Sequence, residues 1–288
     1  MADIVCAAQT EDVLGEVPIW SVQERALYWI DAFRPALRRL VPATGAVTSW
    51  TPPLKLGSFA LRAAGGVLLA TRSGLGLYDP ATGSFELVHN PEADRPTNWL
   101  NDGSCDRRGR FWVGSMDKMI EAPRARLHRF DPDRSCHLMA DGIWLTNTVA
   151  FSPDDRTLYV GDSHVKTIFR YDFDLAAGTI ANRRPFVTVD RGIPDGSCVD
   201  ADGCLWNAQF DAGQIVRYTP DGRIDRTIAL PVTRPTSCTF GGEDLGTLYV
   251  TTARFRLSDA ERAAQPLAGG LLALDVGVRG LPEALFAG

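Results

Sequence analysis

Four side chains that carry oxygen donors, Glu16, Asn101, Asn147 and Asp195, lie far apart in the chain but stand at one place in a recurring stretch. Each falls about 10 or 11 residues before the apolar residue that opens the second strand of its repeat (Leu27, Phe111, Leu158, Leu205), and Gly57 and Ser237 hold the same slot before Leu68 and Leu248. Equivalent positions of a repeat converge when the units close around an axis, so this register predicts a ring of oxygen donors. Such a ring suits a hard divalent cation. Glu16, Asn147 and Asp195 form the expected metal ligand set, with two negative charges, one neutral oxygen and positions left for water or substrate. Asn101 is expected to line the channel beside them, while Asp102 orients its neighbours. Each residue alone has a plainer reading. Pro194-Asp195-Gly196 and Asn101-Asp102-Gly103 are turn sequences, and Glu16 precedes a strand as a solvated carboxylate would. Shared register favours the ligand reading.

The repeat that sets this register reads EVPIWSVQERALYWID, SFALRAAGGVLLAT, NDGSCDRRGRFWVG, NTVAFSPDDRTLYVGD, DGSCVDADGCLWNA and SCTFGGEDLGTLYVTT. Each copy is an alternating strand, a polar turn and a second strand, and the copies recur every 41 to 47 residues or so, the period of four-stranded propeller blades. Outer strands such as ALRRLVPATG, LGLYDPATG and QIVRYTPDG alternate and then stop at Pro, Asp and Gly. The expected fold is all-β: one six-bladed β-propeller domain over residues 1–288, closed by an N-terminal strand over Asp3 to Ala8 that completes the last blade. Irregular inserts fall at Asp117 to Arg126 and Arg254 to Gln265. In the latter, Ser258 and Glu261 form a capping box that opens a short helix.

Composition narrows the function classes. A 288-residue chain with 45% hydrophobic and 23% charged residues is an ordinary globular protein. A net charge of −5 argues against an electrostatic grip on nucleic acid. No apolar run is long enough to span a bilayer, and the start lacks a secretory pattern, so the expected location is cytoplasmic and the expected state a monomer or weak oligomer. The six cysteines form no Cys-x-x-Cys pair, and Cys105, Cys198 and Cys238 share one strand position, which suits small buried hydrophobes. Of the four histidines only His164 lies where it could reach the channel mouth, and a surface position is the plainer expectation.

The segments LGEVPIW, NDGSCDRRGRFWVGSM, SPDDRTLYVGDS, ANRRPF, IPDGSCVDADGCLW, TSCTFGG, LYVTTAR and QPLAGGLLAL are similar, in order and over the whole chain, to those of the gluconolactonase, regucalcin and luciferin-regenerating enzyme family. The resemblance implies a six-bladed propeller with one catalytic divalent metal on Glu16, Asn147 and Asp195, and Asn101 beside it at the substrate. It also exposes departures. Trp99 stands where sugar-lactone members often have arginine, Met119 where they have an acidic residue, and Thr148 follows Asn147 where glycine is usual. Trp99 and Met119 are therefore expected at the substrate as replacements for polar groups.

The expected activity is metal-dependent hydrolysis of a sugar-acid lactone, with the metal as Lewis acid and either Asp195 or a metal-bound hydroxide activating the attack. Oxygen ligation favours Ca²⁺, Mg²⁺ or Mn²⁺, with Zn²⁺ or Fe²⁺ still open. Arylester or organophosphate hydrolysis on the same ion, and a calcium-binding propeller without catalysis, are the alternatives.

Overall fold

A computed structural model of the chain describes residues 3–288. Its 24 strands form six four-stranded antiparallel sheets, so the protein is a six-bladed β-propeller, as the repeat predicts. The N-terminal strand, Ile4–Ala8, pairs antiparallel with Leu271–Asp275 and supplies the outer strand of the last blade. Contacts gather the chain into two compact units. One holds the N-terminal residues through Ser49 and Asp190–Pro282, with the first, fifth and sixth blades; the other holds Trp50–Val189 and Glu283–Gly288, with the second, third and fourth.

Burial falls from the inner strands outward. The second strands Ala26–Asp31 and Val67–Thr71 are buried along their whole length, and the outermost strand Ile224–Ala229 is almost wholly exposed. Large apolar residues fill the space between successive blades: Leu68, Phe111, Val113 and Phe130 pack together in one cluster, and Trp206, Phe240, Leu248 and Leu272 in another. Cys198 and Cys238 belong to the second cluster as buried thiols 3.7 Å apart. Burying one Trp side chain is worth about 4 to 6 kcal/mol gross, from roughly 150–250 Å² at about 25 cal/mol per Å².

An indole N–H must not be buried without an acceptor, and three blades meet that need in the same way. Trp29 donates to Asp12 at 2.9 Å, Trp112 to Asp106 at 2.9 Å and Trp206 to Asp200 at 2.8 Å. Each aspartate also receives an arginine, Arg38, Arg110 and Arg217 respectively. In the third and fifth blades the aspartate comes from the hairpin turn and its oxygens accept turn N–H groups as well, so one carboxylate fastens turn and core indole, and in the fifth blade, through Arg217, the third strand too.

Every innermost strand carries a β-bulge at the register of the expected site. The pairing with the second strand shifts between Glu16 and Ile19, Leu56 and Ser58, Leu100 and Gly103, Asn147 and Val149, Pro194 and Ser197, and Pro235 and Ser237. A bulge inserts one extra residue and turns a side chain off the regular alternation, which is why bulges collect beside active sites. The capping box at the short helix Asp259–Ala264 forms as the sequence predicts, with Ser258 and Glu261 bonded reciprocally.

Candidate active site

In the unit that holds the middle blades, two bulges meet. Asn101 Nδ2 donates to Asn147 Oδ1 at 3.0 Å and to the Thr146 carbonyl at 2.9 Å. Asn147 Nδ2 in turn donates to Ser163 Oγ at 2.8 Å. The amide of Asn147 is thereby oriented: its nitrogen is spent on Ser163, and its oxygen, with two lone pairs, accepts one bond from Asn101 and keeps capacity for another partner. Asn147 is buried and Asn101 half-buried. Ser163 is a supporting residue that register alone does not reveal, because it follows the second strand of its blade.

The backbone that carries these groups is strained. Thr148, directly after Asn147, has φ 53°, and Val17, directly after Glu16, has φ 49°. A β-branched residue rarely adopts that left-handed region, and such strain gathers where a structure over-determines a functional geometry. Thr148 therefore stands in a conformation that glycine would adopt without cost, which accounts for the glycine usual at this place.

Asp102, the second residue of its bulge, accepts a hydrogen bond from the Gly103 N–H at 2.8 Å and takes further backbone bonds from Thr148 and Val149. It ties the third blade's bulge to the one that bears Asn147. Burial pushes its carboxyl up to about 6, against the opposing pull of those N–H donors.

The other unit carries Glu16 and Asp195. Asp195 is buried, and its carbonyl accepts Asn207 Nδ2 at 3.0 Å. A Cβ on the following Gly196 would lie 2.2 Å from Ser237 Oγ, so glycine is required for the sixth blade to approach so closely. Glu16 is half-buried on its strand, and the preceding Gly15 carbonyl accepts the Thr236 hydroxyl.

Trp99 lies two residues before Asn101 on one strand, with the bulge beginning between them after Leu100. It is half-buried, and one face of its indole is covered by Arg72, whose guanidinium carbon sits 3.5 Å from the ring centroid. A cation therefore rides on the ring that stands where the family often has arginine. Met119 is exposed on the turn after Phe111–Asp117, while Met116 pairs opposite Trp99. His164 is exposed and stacked on Trp144 at 4.3 Å, the surface position expected for it. The groove lined by Gln9, Arg254, Arg262 and Pro266 beside the N-terminal strand contains none of the expected site residues.

Among the described residues no three His, Cys, Asp or Glu side chains are grouped to hold a metal. The expected set differs in kind, with two carboxylates and one amide. The oriented carbonyl oxygen of Asn147 and the buried carboxylate of Asp195 are hard donors, and their chemistry fits a hard cation.

A bulged six-bladed propeller with polar first strands defines a class, and comparison narrows it. Residues 14–254 match the model of the SMP-30/Gluconolactonase/LRE-like region, and the chain belongs to that family. It is similar to the 6-deoxy-6-sulfogluconolactonase of Pseudomonas putida, at 41% identity over 98% of each chain. The L-arabinolactonase of Azospirillum brasilense is 39% identical over 98% of this chain and 94% of its own. Among solved structures, a calcium-binding protein, regucalcin, from Agrobacterium tumefaciens superposes with a TM-score of 0.93 at 30% identity, covering 98% of this chain and 96% of that one. Among the described residues no helix is long and apolar enough to cross a membrane.

Proposed function

We propose that the protein hydrolyses the lactone of a sugar acid to the open aldonic acid, with the aid of one divalent metal held by Glu16, Asn147 and Asp195. The observation that carries this reading is the Asn101–Asn147–Ser163 chain, which fixes an amide oxygen at the bulge where the register expects a ligand. The names of the similar lactonases support the reaction class.

When bound, the metal supplies Lewis-acid polarisation of the lactone carbonyl. The chain's own residues do the rest. Asn147 and Asp195 present oxygens held by buried surroundings, and Asn101 orients the substrate from its unspent amide oxygen. Water adds to the carbonyl carbon, its proton passes to Asp195, and the ring C–O bond breaks as that proton returns to the leaving alkoxide.

Assays with aldonolactones, phenyl acetate and a phosphotriester, with chelator and with added Ca²⁺, Mg²⁺, Mn²⁺, Zn²⁺ or Fe²⁺, separate the readings. Lactone turnover that chelation abolishes and metal restores is the expected result. Turnover confined to the aryl ester or phosphotriester would establish the hydrolase alternative. Metal binding without any turnover would favour a calcium-binding propeller, the reading that the regucalcin likeness keeps in view. Asp195→Ala should lose both metal and activity, and a fully loaded mutant would overturn the ligand set.

A further inference from the structure

The residue four places after the anchor of each second strand is Asp31 in the first blade, Asp162 in the fourth, the neutral Ser115, Gln209 and Thr252 in the third, fifth and sixth, and Arg72 in the second. The two aspartates serve backbone. Asp31 accepts from Val13 N and Leu14 N, and Asp162 from Trp144 N and Leu145 N, so each fastens the segment that leads into its own first strand. Arginine has no acceptor and cannot do this. Arg72 is the one cation in this slot, and its side chain leaves its own blade for Trp99 in the next, where the guanidinium carbon lies 3.5 Å from the indole centroid.

The turn that carries it is stiff. Thr71 Oγ1 donates to the Gly74 carbonyl at 2.7 Å and accepts from Ser73 N at 3.1 Å, while Arg72 N donates to the Lys55 carbonyl at 3.2 Å. Gly74 has φ 122°, and a Cβ there would lie 2.4 Å from the His89 carbonyl, so the turn needs its glycine. A guanidinium seated over the face of an aromatic ring keeps N–H groups directed outward past the ring, and its planar fork matches the oxygens of an oxyanion. The ring beneath it belongs to the strand that carries Asn101, two residues on, whose amide bonds Asn147.

We propose that Arg72, seated on Trp99, is a substrate-binding residue that recognises an anionic substituent on the lactone, away from the reacting carbonyl, so that the preferred substrate is an acidic rather than a neutral aldonolactone. This assignment rests on the lactonase reading and adds the substrate class to it. Sulfonate, phosphate and carboxylate share the chemistry, and separate arms rank them. Trp99 is the platform, so its loss should act through Arg72.

The test is kcat/KM for D-glucono-1,5-lactone and for the same lactone bearing a sulfonate or a phosphate at carbon 6, on the metal-loaded enzyme. Wild type, Arg72→Met, Arg72→Lys and Trp99→Ala would be compared, using only preparations that keep the wild-type melting temperature. We expect wild type to favour at least one anionic lactone by tenfold or more. Arg72→Met should lose about tenfold to a hundredfold more on that lactone than on the neutral one, the scale of a charge-assisted hydrogen bond. Arg72→Lys, charged but without the planar fork, should fall between, and added salt should raise KM for the anionic lactone selectively. Calorimetric binding of the corresponding aldonic acids, with and without the sulfonate, reads the same preference without turnover. An enzyme inactive on every lactone would refute the lactonase reading while the calorimetry still decides on Arg72. Equal losses on neutral and anionic ligands, or no wild-type preference for an anionic one in either assay, would overturn the assignment.

Discussion

At the scale of single residues, the site is a chain of amides whose order can be tested one link at a time. Ser163 accepts the Asn147 N–H at 2.8 Å and so decides which end of that amide is left for a cation. Ser163→Ala should weaken metal affinity by roughly tenfold, as removal of a ligand's supporting partner typically does, while the fold melts normally; unchanged affinity in a metal titration would show that the amide orients itself. Asn101→Ala should reduce kcat/KM by at least about tenfold, the scale of one lost buried polar contact. Asp102 predicts a pH dependence. Its carboxyl is raised to about 6 by burial, so the folded chain holds this proton to higher pH than the unfolded chain does. Well below about pH 4 both states are protonated and the contribution is complete. As pH rises towards 6 the unfolded carboxyl ionises first, and beyond that the folded metal-free protein has lost about 3 kcal/mol. Urea unfolding of metal-free wild type and Asp102→Asn from pH 4 to 7 should show wild-type stability falling relative to the variant, and parallel profiles would contradict the burial account.

At the scale of elements, strand and turn are legible in the sequence because each blade repeats its own grammar, and six weak signals in one order make a strong one. The register of Glu16, Asn101, Asn147 and Asp195 is legible for the same reason, and the bulges fall where it places them. The bulges themselves are not legible. Strict alternation turns Asp102 away from its neighbour's surroundings, whereas an extra residue in the strand lets it reach the Thr148 and Val149 backbone. Ser163 and Arg72 also escape notice, since both follow second strands and contact residues of other strands. Arg72 had a signal nonetheless: alignment on the anchors makes it the one cation at a slot that holds Asp31 and Asp162 in two blades and neutral residues in the other three. The aspartate that joins turn to core yields a prediction for the hairpin. Asp200 accepts Trp206 Nε1 at 2.8 Å and Arg217 Nε at 2.8 Å, and Cys204 N at 2.9 Å. Asp200→Ala leaves an indole N–H and part of a guanidinium buried without this acceptor, with Asp202 and Asp225 still on Arg217. A loss of about 3 to 5 kcal/mol in chemical denaturation is expected, and a loss below about 1 kcal/mol would mean that the flanking aspartates or water take over.

At the scale of the whole molecule, the chain closes its last blade with its first strand, so the two ends of the sequence depend on each other. Ile4, Val5 and Cys6 pair with Leu274, Ala273 and Leu272, and Ala8 with Leu271. Gln9 adds a side-chain bond to the Pro266 carbonyl at 2.8 Å. The partner strand, Leu271–Asp275, is apolar and buried at all but its last residue. Without the N-terminal strand it becomes an open edge of unpaired N–H and C=O groups flanked by leucines, the arrangement that invites pairing with another chain. A protein truncated to begin at Glu11 should melt roughly 5 to 10 °C lower, since a loss of about 2 to 3 kcal/mol shifts a domain of this size by about 2 to 4 °C for each kcal/mol. It should also associate with rising concentration, which sedimentation would detect. A peptide of residues 3–9 added in trans should restore part of both properties by refilling the edge, and a peptide with proline at Val5 should restore less, because proline lacks the N–H and its ring disturbs the pairing. A truncated protein with wild-type melting and no added association would show that the sixth blade is complete with three strands, and the closure would then contribute nothing measurable.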